Sequence, residues 1–255
     1  MLKAYLISVL VLVLNMSRAY ADSKHINMLV LGDSISQGTD AIGIGIFPDY
    51  NWATGSKVES HLLKLRKLGY DVDFFNASIP GAHSALLGTE LAMAPTLTPD
   101  YVLLEIGAND LCATSPSDDT IGNVAGALRT LISANPDVKI VMVAIPKLSA
   151  VYESKKSSRY CQFIWATIPL CPAFLSPYLS DAQRKVNQIK VDAANQGFKE
   201  LSEHFGPNVH FVEEAGEETV KAEDVSNFDC FHPSVRGQQH LSDATFKPEL
   251  FSRVN

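Results

Sequence analysis

Five short strand-like segments alternate with helix-patterned ones along this chain, and the alternation points to helices packed on a parallel sheet. These segments cover residues 26–31, 71–76, 101–105, 139–144 and 208–212. Between the third and fourth, Ile121, Val124, Leu128, Leu131 and Ile132 recur at helical spacing and stop at Asn135-Pro136. A further helix is predicted over 84–94, ending at Pro95. Ser180 and Gln183 have capping-box form, and Val186, Ile189, Ala193 and Leu201 are expected to form that helix's inner face as far as Gly206-Pro207. Parallel neighbours need crossover helices, so both faces of such a sheet should be covered.

With 255 residues, 46% hydrophobic and 19% charged, the chain can bury one sizeable core. The first 21 residues read differently. Lys3 precedes an apolar run too short to span a bilayer, and Ala19-Tyr20-Ala21 is a small-x-small cleavage site. We therefore expect a signal peptide over 1–21, an exported single domain over 22–255, and no integral membrane segment once the peptide is removed. Loss of Lys3 and Arg18, with no acid, would take the formal charge from −7 to −9. So acidic a protein is a poor partner for nucleic acid. No sequence feature fixes an oligomeric state.

Four blocks carry chemistry. Gly32-Asp33-Ser34 follows the first apolar run, at the strand end where open parallel sheets bind ligands. Gly81 closes Asn76-Ala-Ser-Ile-Pro-Gly81, Asn109 lies in Gly107-Ala-Asn109-Asp110, and Asp229-Cys-Phe-His232 stands near the C-terminus. A serine hydroxyl needs a base to act as a nucleophile, and an imidazole titrates in the right range. A carboxylate three residues before His232 could fix its tautomer. Asp33 and Asp110 read as loop-holding residues.

In order and context, these blocks resemble the GDSL esterase/lipase family, the SGNH hydrolases, from about Ile26 to about Leu250. Asn109-Asp110-Leu111-Cys112 and Asp229-Cys230-Phe231-His232-Pro233-Ser234 are similar to its phospholipase B and acyloxyacyl hydrolase branch. The resemblance implies a three-layer, flavodoxin-like α/β/α fold with five parallel strands in the order 2-1-3-4-5. It implies catalysis by Ser34, Asp229 and His232, and an oxyanion hole from the N–H groups of Ser34 and Gly81 and the amide of Asn109. No cofactor or metal is implied. The expected substrate is a small-molecule or lipid carboxylic ester, with lipid or lysophospholipid acyl esters foremost. A carbohydrate O-acetylesterase is the alternative. A non-catalytic lipid- or glycan-binding module is the alternative from another class.

Cys112, Cys161, Cys171 and Cys230 fit an exported protein with two disulfides, for which three connectivities exist. If Asn109 and His232 converge, Cys112 approaches Cys230, so Cys112–Cys230 and Cys161–Cys171 are expected. Residues 147–179 form an unusually long connection rich in aromatics. They are expected to act as a cleft wall or lid, with Phe163 and Trp165 touching substrate, or else to be a helical excursion covering the core.

Overall fold

The computed structural model describes residues 25–94, 98–113, 119–217 and 220–251. The expected signal peptide, and Pro95 as a helix stop, lie outside them. Five parallel strands, β1 (His25–Gly32), β2 (Asp71–Asn76), β3 (Tyr101–Glu105), β4 (Lys139–Val143) and β5 (Val209–Val212), stand in the order β2-β1-β3-β4-β5. This is the flavodoxin-like order. Successive strand residues point to opposite faces, and the core divides accordingly. Leu29, Leu31, Val102, Leu104, Ile140 and Met142 bury one face. Met28, Val30, Tyr101, Leu103, Val141 and Val143 bury the other. Each such side chain contributes roughly 1.5–3 kcal/mol when fully buried.

Helices complete the outer layers. Helix α1 (His61–Lys67) covers the second face through Leu62 and Leu65. Helices α2 (Leu87–Met93), α4 (Thr120–Ala134) and α8 (Asp181–Phe205) cover the first through Leu87, Leu128 and Phe198. The short α3 (Ala108–Cys112) follows β3. After β5 come α9 (Glu214–Glu217) and α10 (Val235–Thr245). Among the described residues no helix is long and apolar enough to cross a membrane.

The capping box at Ser180 forms with Gln183 as the spacing requires. The expected inner face of α8 forms only at Leu201, which packs half-buried against the core. Val186 and Ile189 are 57% and 65% exposed, and Ala193 is also exposed; the buried stripe is Arg184, Val191 and Phe198. A charged residue displaces apolar ones there because its guanidinium is fully employed. Arg184 donates to the carbonyls of Phe174, Ser176 and Leu179 at 2.7–2.8 Å, and its Cζ stacks 3.5 Å from the Tyr152 ring centroid.

Those carbonyls belong to the long connection, which folds as α5 (Leu148–Lys155), α6 (Arg159–Thr167) and α7 (Pro172–Leu175). Here the expected disulfide pairing is corrected. Cys112 is bonded to Cys171 and Cys161 to Cys230, in place of Cys112–Cys230 and Cys161–Cys171. Convergence of the Asn109 and His232 loops alone would pair Cys112 with Cys230 and leave the excursion outside. In the structure the excursion packs into the same apolar cluster as both loops, with all four cysteines buried in it. Each loop therefore meets an excursion cysteine. The bonds span 59 and 69 residues and interlace along the chain. Chain entropy alone would assign each about 4 kcal/mol.

Arg184→Met should lower stability by about 3 kcal/mol in urea melts, because carbonyls now bonded to a guanidinium lose their donor. A loss under 0.5 kcal/mol would show that the excursion holds its shape without it.

Candidate active site

Strand order places the first three blocks side by side. β1 lies between β2 and β3, with Val30 opposite Asn76 and Gly32 opposite Glu105. The segments leaving these three strand ends carry Ser34, Gly81 and Asn109. Gly32 must be glycine, since a Cβ there would press on the Glu105 carbonyl and lie 2.9 Å from Ser36 Oγ. Gly81 adopts φ 78, which disfavours any side chain, and the space around it is open.

The fourth block closes over this edge. Ser226 N–H donates to the His232 carbonyl at 2.8 Å, and Val225 and Pro233 form an isolated bridge, so 226–232 is a pinched loop. Asp229 Oδ1 accepts the N–H groups of Phe231 at 3.0 Å and His232 at 3.2 Å. Its Oδ2 is bonded to His232 Nδ1. His232 Nε2 lies 2.7 Å from Ser34 Oγ. Ser234, after Pro233, caps α10 by accepting from Gly237 N–H. Ser34, Asp229 and His232 are thus brought into one hydrogen-bonded series, all buried.

Burial alone would raise the Asp229 carboxyl. The bond and charge of His232, with the two backbone N–H groups, hold it below the ordinary aspartate range instead. Burial also opposes a charged His232, but Asp229, helped by the charges of Asp33 and Asp40, raises its pKa above the usual histidine value. Deprotonated Nε2 can accept the Ser34 proton, and the carboxylate then stabilises the imidazolium.

Asn109 is held inward, its amide donating to Asp33 Oδ2 and to the Ala82 carbonyl, both at 3.0 Å. Among the described residues the backbone N–H groups of Ser34 and Gly81 have no partner. Asp33 also accepts Ile35 N–H at 2.9 Å, and Asp110 accepts Ser84 N–H at 2.9 Å, so both hold loops as expected.

Trp165 does not reach the open edge. It is 4% exposed, its ring 5.4 Å from that of Tyr152 within the core, whereas Phe163 is 63% exposed. The excursion contributes wall elsewhere. Leu148 and Val151 of α5 line a pocket of about 120 Å³ together with His232, Val143, Ile35 and Ala108. The last two are the chain neighbours of Ser34 and Asn109.

Two further groups of side chains lie against these residues. Asp40 Oδ2 lies 3.9 Å from His232 Nδ1. Asp40, Asp229 and His232 could hold a metal ion, since they present ligand atoms within 4.8 Å of one another. Both imidazole nitrogens are already hydrogen-bonded, however, so a cation on Nδ1 would have to displace Asp229. The second group is a cluster of buried carboxyls beneath Ser34. Glu90 Oε2 accepts Gly32 N–H at 2.8 Å, and Glu105 Oε2 accepts from Ser36 Oγ at 3.2 Å. Burial pushes Asp33 up to about 6, Glu90 up to about 8 and Glu105 well above the usual range. Glu105 was legible as the one acid in an otherwise apolar strand run.

A five-stranded 2-1-3-4-5 sheet with serine, histidine and aspartate linked at its carboxyl edge defines the class of this molecule. Residues 30–240 match the model of the GDSL-like lipase/acylhydrolase family, and the chain belongs to that family. An arylesterase of Vibrio mimicus is 29% identical over 149 residues, which span 55% of this chain and 66% of that relative. Two solved structures share the fold. An extracellular lipase from Streptomyces rimosus has a TM-score of 0.56 at 17% identity, covering 87% of this chain and 100% of its own. An acetyl xylan esterase from Geobacillus stearothermophilus has a TM-score of 0.54 at 21% identity, covering 91% and 98%.

The carboxyl cluster sets a pH dependence of stability. Glu90 has a folded pKa above its unfolded value, so its contribution is present below about 4 and lost as pH rises through about 8. Glu90→Gln keeps an acceptor for Gly32 N–H and removes the titration. Thermal melts should then show a smaller loss of Tm between pH 5 and pH 8 than in the parent. An equal loss in both would show that Glu90 does not titrate there.

Proposed function

We propose that this protein is an exported serine ester hydrolase that cleaves carboxylic esters through an acyl-Ser34 intermediate, with lipid or lysophospholipid acyl esters as its substrates. The observation carrying the reading is the contact of Ser34 Oγ with His232 Nε2 while Nδ1 is engaged by Asp229. Ser34 Oγ bonds to the ester carbonyl carbon as its proton passes to Nε2. The tetrahedral intermediate collapses, the carbon–oxygen bond to the alcohol breaks, and Nε2 returns the proton to the leaving oxygen. Water repeats the sequence on the acyl-serine, releasing the acid and restoring Ser34.

Negative charge on the carbonyl oxygen is met by the N–H groups of Ser34 and Gly81 and by the Asn109 amide. In the resting site both Asn109 hydrogens are occupied. We assign the oxyanion the one now given to the Ala82 carbonyl, a neutral acceptor, while Asp33 keeps the amide oriented. Two disulfides and the reading of residues 1–21 support export. The apolar pocket against His232 and the exposed Phe163 support an acyl chain as the group held. Trp165 supports that wall from within.

Ser34→Ala and His232→Ala should each abolish nearly all turnover of p-nitrophenyl esters, and the pair should do no worse than either. Asn109→Ala should lower kcat about 10²–10³-fold with a smaller effect on KM. Normal turnover by Ser34→Ala, with contaminating esterase excluded, would overturn the mechanism. A series of esters of rising chain length separates the two substrate readings: kcat/KM rising beyond acetate supports acyl lipids, and a maximum at acetate supports an acetylesterase.

Activity should rise with pH as His232 loses its proton, with the limb above the ordinary histidine value. Asp40→Asn removes a negative charge beside the imidazole and should move that limb to lower pH. Chelators should leave the rate unchanged; a loss restored by added metal would favour a metal at Asp40, Asp229 and His232.

A further inference from the structure

We propose that Ile42, Ile44 and Ile46, with Phe228, Tyr160 and Phe163, dock the mouth of the site on the surface of a zwitterionic lipid aggregate. The inference rests on the ester-hydrolase reading for its purpose, though not for its test. Residues 41–48, Ala-Ile-Gly-Ile-Gly-Ile-Phe-Pro, contain no charged side chain. Their three isoleucines are 42%, 85% and 53% exposed. Single exposed apolar residues are ordinary, but a run of them beside a site marks an interaction surface.

The loop is ordered to present them. Asp40 N–H donates to the Gly45 carbonyl at 2.8 Å, and Gly45 N–H donates to Asp40 Oδ1 at 2.6 Å. This closes the segment on itself with Ile44 within it. Neither Gly43 nor Gly45 has a side chain to shield its neighbours.

The rim is continuous with the chemistry. Ser226 Oγ donates to the Asp40 carbonyl at 2.6 Å and accepts Phe228 N–H at 3.1 Å. Tyr160 Oη donates to the Phe228 carbonyl at 2.8 Å. Phe228 adjoins Asp229, and the Cys161–Cys230 bond fastens α6 to the same loop. Phe163 follows Tyr160 by three residues on α6, hence on the same side of that helix. One hydrogen-bonded series therefore runs from the isoleucine loop past the Asp229–His232 turn to the exposed rings of α6.

The occupant follows from what must arrive there. Long-chain acyl esters collect in aggregates, so the apolar rim of a site that takes them meets a lipid–water surface before it meets a substrate molecule. A formal charge of −7 opposes an anionic surface, and an uncharged loop gains nothing from one. A zwitterionic surface fits both facts.

The test is co-sedimentation with phosphatidylcholine vesicles, using the Ser34→Ala protein so that the lipid survives. We expect it to partition onto the vesicles, and the same protein carrying Ile42→Ser, Ile44→Ser and Ile46→Ser to partition at least tenfold more weakly. An unchanged melting temperature confirms that the serine variant is folded. Phosphatidylglycerol vesicles should bind the parent more weakly than phosphatidylcholine. The proposal is overturned if the parent does not partition, if both proteins partition equally, or if phosphatidylglycerol is preferred. It is also overturned if sedimentation velocity shows a dimer that the serine substitutions dissolve, since the loop then meets a second copy. Hydrolysis of dissolved p-nitrophenyl acetate by the unmodified protein is measured separately. Failure there removes the ester-hydrolase reading while the vesicle result still decides docking.

Discussion

The His232 imidazole is held almost out of water between a carboxylate and a hydroxyl 198 residues away in sequence. Most of the surrounding structure serves that contact. Ser34 is fixed because Gly32 packs against β3 and Asp33 folds the turn through Ile35 N–H. His232 is fixed because the Asp229 carboxylate binds both the ring and the backbone of the same loop. Hydrogen bonds that orient Asp229 also hold it ionised, so geometry and electrostatics have one cause. Burial, which alone would discharge both partners, instead strengthens their attraction.

The excursion over residues 147–179 solves a second problem. The Asn109 and His232 loops leave different parts of the fold and share no covalent bond with each other. Each is bonded to the excursion, Cys112 to Cys171 and Cys230 to Cys161. The excursion is in turn anchored to α8 by Arg184, whose guanidinium takes three of its carbonyls. A segment without a strand of its own thereby ties together the loops that carry Asn109 and His232. Its pocket-lining residues Leu148 and Val151 come from α5, while Cys161 lies on α6 and Cys171 directly precedes α7.

Much of this was legible in the residues, for definite reasons. β3 was readable because a central parallel strand is buried on both faces and hence apolar, and the edge strand β2, with Asp71, Asp73 and Asn76 among its residues, also falls on the expected span. That the Ser34, Gly81, Asn109 and His232 blocks meet at one edge was legible because three of them follow strand ends of a parallel sheet. The disulfide pairing was not, because it depends on where a helical excursion of no fixed direction comes to rest. Nor was the inner face of α8. Hydrophobic periodicity favoured Val186 and Ile189, whereas Arg184 is buried by hydrogen bonds that no pattern encodes. Trp165 was drawn toward the substrate by its type, and type alone does not separate a core ring from a cleft ring.

The buried carboxyls under Ser34 obey a different logic from Asp229. Asp229 receives an imidazole and two N–H groups and stays charged. Glu90 receives one N–H, and its second oxygen has no partner among the described residues, so it is driven toward its neutral form. Three acids this close cannot all ionise cheaply in a dry region. Neutral Glu90 and Glu105 leave Asp33 as the charge nearest Asn109, which that amide and the raised His232 both favour. Protonating Glu90 and Glu105 thus keeps negative charge at the carboxylate that orients the Asn109 amide.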